Sequence, residues 1–378
     1  MENVVEKAHN SCVNLVKFLD WRTVVTCSDD CTLGVWDLRN LKQKIKSLRG
    51  HRNWVKSIEF DKTQGILLSA AYDQTVLKWD INSCDNKPEK VLQIKNMLRM
   101  VLTPDSTKMI ISTADGYLLI IHDLDLKTLS DDLKQFVPDL YRLMQSDNNY
   151  GIDMGSWVNS LFTSKTNRVE LVSDFPETDQ NGCITTLNVH PFGWSVLSRN
   201  TAGNEMSEWT CVHDIQSSDK LLELKPIKRN KICLNRKSLK TSSNVSNSET
   251  NNENDLSNGP TIDVSFEGFV YKNNSRLKYY IEELNENHGF IKELCFSSDG
   301  RVICSPHQFG FRLLSFDEKT SEMCDCLSGL SSEPKLLYEL KQSLCHPDYV
   351  VTTKFSPTHC QIASGCLKGR VVFTQPIL

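Results

Sequence analysis

Two histidines and two aspartates are the residues most able to do chemistry. His9 precedes Asp30, and His51 precedes Asp73. A His–Asp pair is a unit of acid–base catalysis, because the carboxylate orients the imidazole and stabilises its charged form. Here, however, each aspartate is followed six residues later by a tryptophan, Trp36 or Trp79. Trp36 lies 27 residues beyond His9, and Trp79 lies 28 beyond His51. A duplicated spacing set in strand-like alternation points to a repeated structural unit rather than to one catalytic centre. We expect His9, Ser28, Asp30 and Trp36 to form a buried, mutually satisfied polar network, with the Ser28 hydroxyl relaying between imidazole and indole N–H. His51, Asp73 and Trp79 repeat it. Ala71 stands where the serine would be, so a shorter network is expected there.

Other reactive types form no pattern. The 14 cysteines are scattered without a Cys-x-x-Cys; the tightest pair is Cys324-Asp325-Cys326, and no histidine follows at ligand spacing. Reduced thiols are expected, with no metal site and no cofactor. No serine nucleophile elbow and no phosphate-binding glycine loop is present. The expectation is a protein that binds rather than catalyses.

The elements that must position these residues are short strands. Ser28-Asp29-Asp30-Cys31 reads as a polar turn, and Thr32 to Asp37 as the strand leaving it. The first repeat predicts strands near 13–18, 23–27, 33–37 and 45–48. The second predicts them near 55–60, 66–70, 76–80 and 91–94. A third, degenerate repeat puts His122-Asp123 where Trp-Asp stood before. The period breaks over 124–181, where Val137 to Met144 reads as a loop or one to two helical turns. A fourth repeat restarts at Cys183. A second interruption, 217–276, carries seven basic residues between Lys225 and Lys240 and then an almost wholly polar run from Thr241 to Pro260. That run has too little apolar content to fold. The basic run reads as a solvated loop base or, alternatively, a nuclear-localisation patch. Residues 277–282 complete the fourth repeat, the fifth spans 289–340, and a sixth starts at His346 with three strands.

The chain of 378 residues has 39% hydrophobic residues and a net charge of −4. No global basic field argues for direct nucleic-acid binding. No apolar run is long enough to span a membrane as a helix, and residues 1–9 show no signal-peptide pattern. A cytoplasmic and/or nuclear protein is expected.

The 43-residue Trp-to-Trp period with a Gly-His and a Trp-Asp in the second copy resembles the WD repeat, one four-stranded blade of a β-propeller. The expected fold is all-β: one propeller over 1–378 with six visible blades and insertions at 124–181 and 217–276. WD-repeat propellers usually close with seven blades. Either six close the ring, or an insertion hides a blade, or an N-terminal blade precedes this sequence. Residues 3–7 are expected to pair beside 369–374 and join the ends.

Trp36-Asp37-Leu38-Arg39 looks like the Trp-Asp-x-Arg box of WD-repeat cullin-4-associated factors. Thr26-Cys27-Ser28-Asp29-Asp30, Gly116-Tyr117-Leu118-Leu119-Ile120, Tyr280-Ile281-Glu282-Glu283 and Thr352-Thr353-Lys354-Phe355-Ser356-Pro357 are also similar to that family. The resemblance implies a non-enzymatic substrate-receptor subunit of a cullin-4 RING E3 ubiquitin ligase. It implies that Trp36, Asp37 and Arg39, at the bottom face, dock the ligase adaptor, damaged-DNA-binding protein one. The top face and the insertions would then hold a protein substrate for ubiquitination. The box is single: the second repeat has Trp79-Asp80-Ile81-Asn82 and the third His122-Asp123-Leu124-Asp125. The alternative is a WD-repeat scaffold in another multiprotein complex, with Arg39 a surface residue.

Overall fold

The structure is a computed structural model, and it describes residues 8–83, 87–129, 169–172, 175–176, 183–200, 207–216, 223–226, 269–272, 276–284, 292–317 and 334–376. The chain folds as a β-propeller of six blades. The first blade is β1 (Val13–Phe18), β2 (Thr23–Ser28), β3 (Thr32–Asp37) and β4 (Lys46–Arg49). The second is β5 (Val55–Asp61), β6 (Ile66–Ala71), β7 (Thr75–Asp80) and β8 (Glu89–Gln93). Each is an antiparallel meander, with strands hydrogen-bonded in chain order.

The third blade is β9 (Met97–Leu102), β10 (Met109–Thr113), β11 (Leu118–Ile121) and β12 (Val169–Val172). Its outer strand therefore lies inside the span read from the sequence as insertion, because four residues, Val-Glu-Leu-Val, are too few for a periodic signal. The fourth blade takes β13 (Cys183–His190), β14 (Trp194–Asn200), β15 (Ser207–Asp214) and β18 (Leu277–Leu284). Between β15 and β18 sits a separate two-stranded pair, β16 (Glu223–Pro226) and β17 (Phe269–Lys272). The fifth blade is β19 (Cys295–Phe296), β20 (Val302–His307), β21 (Gly310–Ser315) and β23 (Tyr338–Leu344). Just before β23, β22 (Lys335–Leu336) crosses to β18 and pairs with it in parallel. The sixth blade is β24 (Val350–Phe355), β25 (Ile362–Cys366) and β26 (Val371–Thr374).

Alternation explains the packing. The inner strands of the middle blades, such as β6, β10 and β14, are buried on both faces because those blades sit between two others. Five hydrophobic clusters fill the five successive interfaces. One joins Val25, Leu33 and Val35 to Ile58, Leu67 and Trp79 of the second blade. The others join the second blade to the third, the third to the fourth, the fourth to the fifth and the fifth to the sixth. Among the described residues no such cluster joins the sixth blade to the first. Val16 and Phe18 on β1 and Val371 and Phe373 on β26 are exposed. The expected strand at residues 3–7, and the turns expected at Val137 to Met144, lie outside the described residues, as does the polar run from Thr241 to Pro260.

Topology fixes two ends of the molecule. The β2–β3 and β6–β7 hairpins lie at one end. The β1–β2 and β3–β4 connections lie at the other, and there Arg39 follows β3. The β11–β12 and β15–β18 connections, which take up most of the two long interruptions, are of that second kind. These two connections therefore start and end on the face that carries Arg39.

One buried ion cluster clasps the roots of both interruptions. Glu170 on β12 accepts from Arg276 at 2.8 Å on each carboxylate oxygen and pairs with His122 Nε2 at 2.9 Å. Arg276 also donates to the carbonyls of Asp214 and Gln216. Burial pushes the Glu170 carboxyl up, but its bonds to His122 and Arg276 outweigh that and hold it below its usual value. His122 thus stands in the tryptophan position and supplies a hydrogen-bond partner for Glu170 instead of an indole.

Candidate functional site

The His–Asp pairs are structural, and their relay differs from the sequence expectation. His9 Nδ1 pairs with Asp30 Oδ2 at 3.0 Å, and His9 Nε2 meets Thr26 Oγ1 at 2.8 Å. Trp36 Nε1 donates to the same Thr26 oxygen at 2.9 Å. Thr26, not Ser28, is the relay. The register explains it: Trp36 lies opposite Val24 and Gly34 opposite Thr26. The indole therefore reaches one cross-strand pair up its own face, whereas Ser28 sits at the hairpin and its Oγ accepts from Asp30 N at 3.1 Å. Gly34 makes the room, since a Cβ there would lie 2.9 Å from Trp36 Nε1 and 3.1 Å from Thr26 Oγ1.

In the second blade Ser69 does the same work, at 2.7 Å from His51 Nε2 and 2.8 Å from Trp79 Nε1. Asp73 pairs with His51 Nδ1 at 3.0 Å. That network is complete and not shortened by Ala71. Both histidines have lowered pKa values because burial outweighs the neighbouring aspartate. A neutral ring with its proton on Nδ1 satisfies every partner: the aspartate accepts, and Nε2 accepts from the hydroxyl that takes the indole N–H. All these polar atoms are committed to the blade.

Elsewhere the propeller uses a different buried device, which the sequence did not reveal. Lys292 bridges Glu283 and Glu208, the latter at 3.1 Å, between the fourth and fifth blades. Ser305 and Thr210 donate to Glu283 at 2.9 and 3.1 Å. Burial disfavours the Lys292 charge, but the two carboxylates outweigh it and raise its pKa. Lys292 sits in an apolar stretch beside Ile291 and Leu294; a lone lysine there was the available signal.

The Trp-Asp-x-Arg corner is different, because part of it faces solvent. Trp36 is 4% exposed and supports the strand from within. Asp37 Oδ1 accepts from Arg39 N at 2.9 Å and Arg39 Nε at 3.1 Å, and Oδ2 accepts from Arg39 Nη2 at 2.7 Å. The Arg39 side chain is 59% exposed. Its hydrogen bonds lower the Asp37 pKa to about 2, so the pair stays charged at neutral pH. The turn itself does not need the arginine. Asp80 accepts from Asn82 N at 2.9 Å, and Asp125 from Lys127 N at 2.9 Å, with no guanidinium involved. Arg39 is thus a preorganised planar donor presented outward, suited to a protein interface. Among the described residues no His, Cys, Asp and Glu group has metal-ligating geometry, and no helix is long and apolar enough to cross a membrane.

Comparisons with known proteins agree with this architecture. The family model "WD domain, G-beta repeat" matches residues 3–37 and 42–80. A chain in the crystal structure of a mitotic checkpoint complex superposes with a TM-score of 0.53 at 10% identity, over 96% of this chain and 73% of that one, which is a likeness of fold alone. DDB1- and CUL4-associated factor 10 of Xenopus laevis is 38% identical, covering 98% of this chain and 77% of the relative. The Danio rerio protein of the same name is also 38% identical, over 98% and 67%. The Homo sapiens protein is 37% identical, and this chain spans 63% of it. Such a propeller is a non-enzymatic binding platform, and the chain belongs to the DDB1- and CUL4-associated factor 10 family.

Proposed function

We propose that this protein is a substrate-receptor subunit of a cullin-4 RING E3 ubiquitin ligase, docked to the DDB1 adaptor through the corner built by Trp36, Asp37 and Arg39. The supporting observation is Arg39 itself: exposed, held in a fixed geometry by Asp37, and dispensable for its own turn. Its names make the relatives DDB1- and CUL4-associated factors. In this account Trp36 fixes the strand, Asp37 aims the guanidinium, and Arg39 makes the contact. The substrate is a protein held on the opposite face, near the β2–β3 and β6–β7 hairpins. Neither nucleic acid nor membrane is a direct partner, and the protein works in the cytoplasm, the nucleus or both. Affinity capture of the tagged chain from cells tests this. Recovery of the adaptor together with cullin-4 is expected. Recovery of another assembly, with neither of them, favours a scaffold role instead.

A further inference from the structure

The described residue most at odds with its surroundings is Trp21, on the β1–β2 connection. It is 79% exposed, more than any other large apolar side chain described. The loop that carries it is pinned by hydrogen bonds. Asp20 Oδ1 accepts from Arg22 N at 2.6 Å and Thr23 N at 2.7 Å, and those two bonds hold the Asp20 carboxyl below its usual pKa. Leu19 N donates to Thr23 O at 3.0 Å, with the Leu19 side chain buried beneath. Leu38 N donates to Arg22 O at 2.8 Å and ties the loop directly to the Trp-Asp-x-Arg corner. Arg22 lies over the Trp21 ring, its guanidinium carbon 5.6 Å from the centroid. The next turn, from Arg39 to Ile45, carries three cations, Arg39, Lys42 and Lys44, and no carboxylate.

These observations describe an interface hot spot without its partner. Tryptophan and arginine dominate such hot spots, and a pinned mount reduces the ordering cost of binding. We infer that Trp21, flanked by Arg22 and Arg39, is the apolar anchor of the adaptor-docking face, entering a pocket on the adaptor rimmed by carboxylates. This rests on the proposed adaptor role and extends it from one arginine to a three-residue patch across two connections of the first blade. The basic rim argues for an acidic counter-surface and for binding that weakens with salt.

The test uses the full chain and purified adaptor, with equilibrium binding measured for the parent, Trp21→Ser, Trp21→Phe and Arg39→Ala, and thermal melting as the control for folding. Trp21→Ser is expected to melt like the parent and to bind at least tenfold more weakly, with Trp21→Phe in between. Binding by Trp21→Ser equal to the parent, while Arg39→Ala weakens it, overturns the anchor and leaves the adaptor role standing. A parent chain that does not bind the adaptor at all overturns both. A Trp21→Ser protein that melts well below the parent gives Trp21 a structural role, and the anchor is then judged on Trp21→Phe, whose unchanged binding overturns it.

Discussion

At the scale of single residues, the structure separates what serves the blade from what faces outward. Thr26 is the hinge of the first network, receiving the indole N–H and meeting the imidazole. Thr26→Val leaves both without a partner in a buried site, which costs on the order of 1–3 kcal/mol. Chemical denaturation is expected to show that loss with no change in adaptor binding; a neutral result would mean that the network does not stabilise the blade. The histidines, aspartates and tryptophans of this network were legible because they recur at fixed spacing. The relay was not, because Thr26 and Ser28 project to the same side of one strand and only the β2–β3 register distinguishes them. Trp21 was missed for a related reason: a lone tryptophan beside Asp20 and Arg22 carries no periodic signal.

At the scale of elements, strands in the first two repeats were legible from alternation and turn chemistry. Short or interrupted ones were not. β12 has four residues, and its partner β11 lies about fifty residues earlier in the sequence. The fourth strand of the third blade is held by ions. Arg276→Met strands the buried Glu170 carboxylate and is expected to destabilise the protein by about 3–5 kcal/mol. Replacing both, with Glu170→Leu added, is expected to cost less than the single change, because no uncompensated charge remains. Thermal or urea unfolding of the two variants decides it; a double variant as weak as the single would mean that the ion pair itself is not the relevant interaction.

At the scale of the whole molecule, buried histidines couple stability to pH. Burial lowers the pKa of His9, His51, His190 and His346 from 6.5, and His307 falls to about 4. The unfolded chain therefore binds more protons than the folded one below 6.5, and stability falls as pH drops. Asp30, lowered to about 2, and Asp73 and Glu170, also lowered, add a further loss as pH falls below about 4. The melting temperature is expected to decline steadily from pH 6.5 to 4 and more steeply below. A flat profile between pH 7 and 5 would contradict the neutral, buried imidazoles. The propeller class was legible from the 43-residue period. That the β11–β12 and β15–β18 connections start and end on the Arg39 face was not, because it depends on counting every strand, including one hidden in an interruption.

The central claim is that an arginine spare to its own blade docks this receptor to its ligase. Titration calorimetry of purified DDB1 into the full chain, parent against Arg39→Ala, tests it most directly. Loss of a hot-spot arginine is expected to cost about 2 kcal/mol, roughly a thirtyfold rise in Kd, with an unchanged melting temperature. Equal affinity for the two folded proteins would contradict the claim and leave Arg39 an ordinary surface residue.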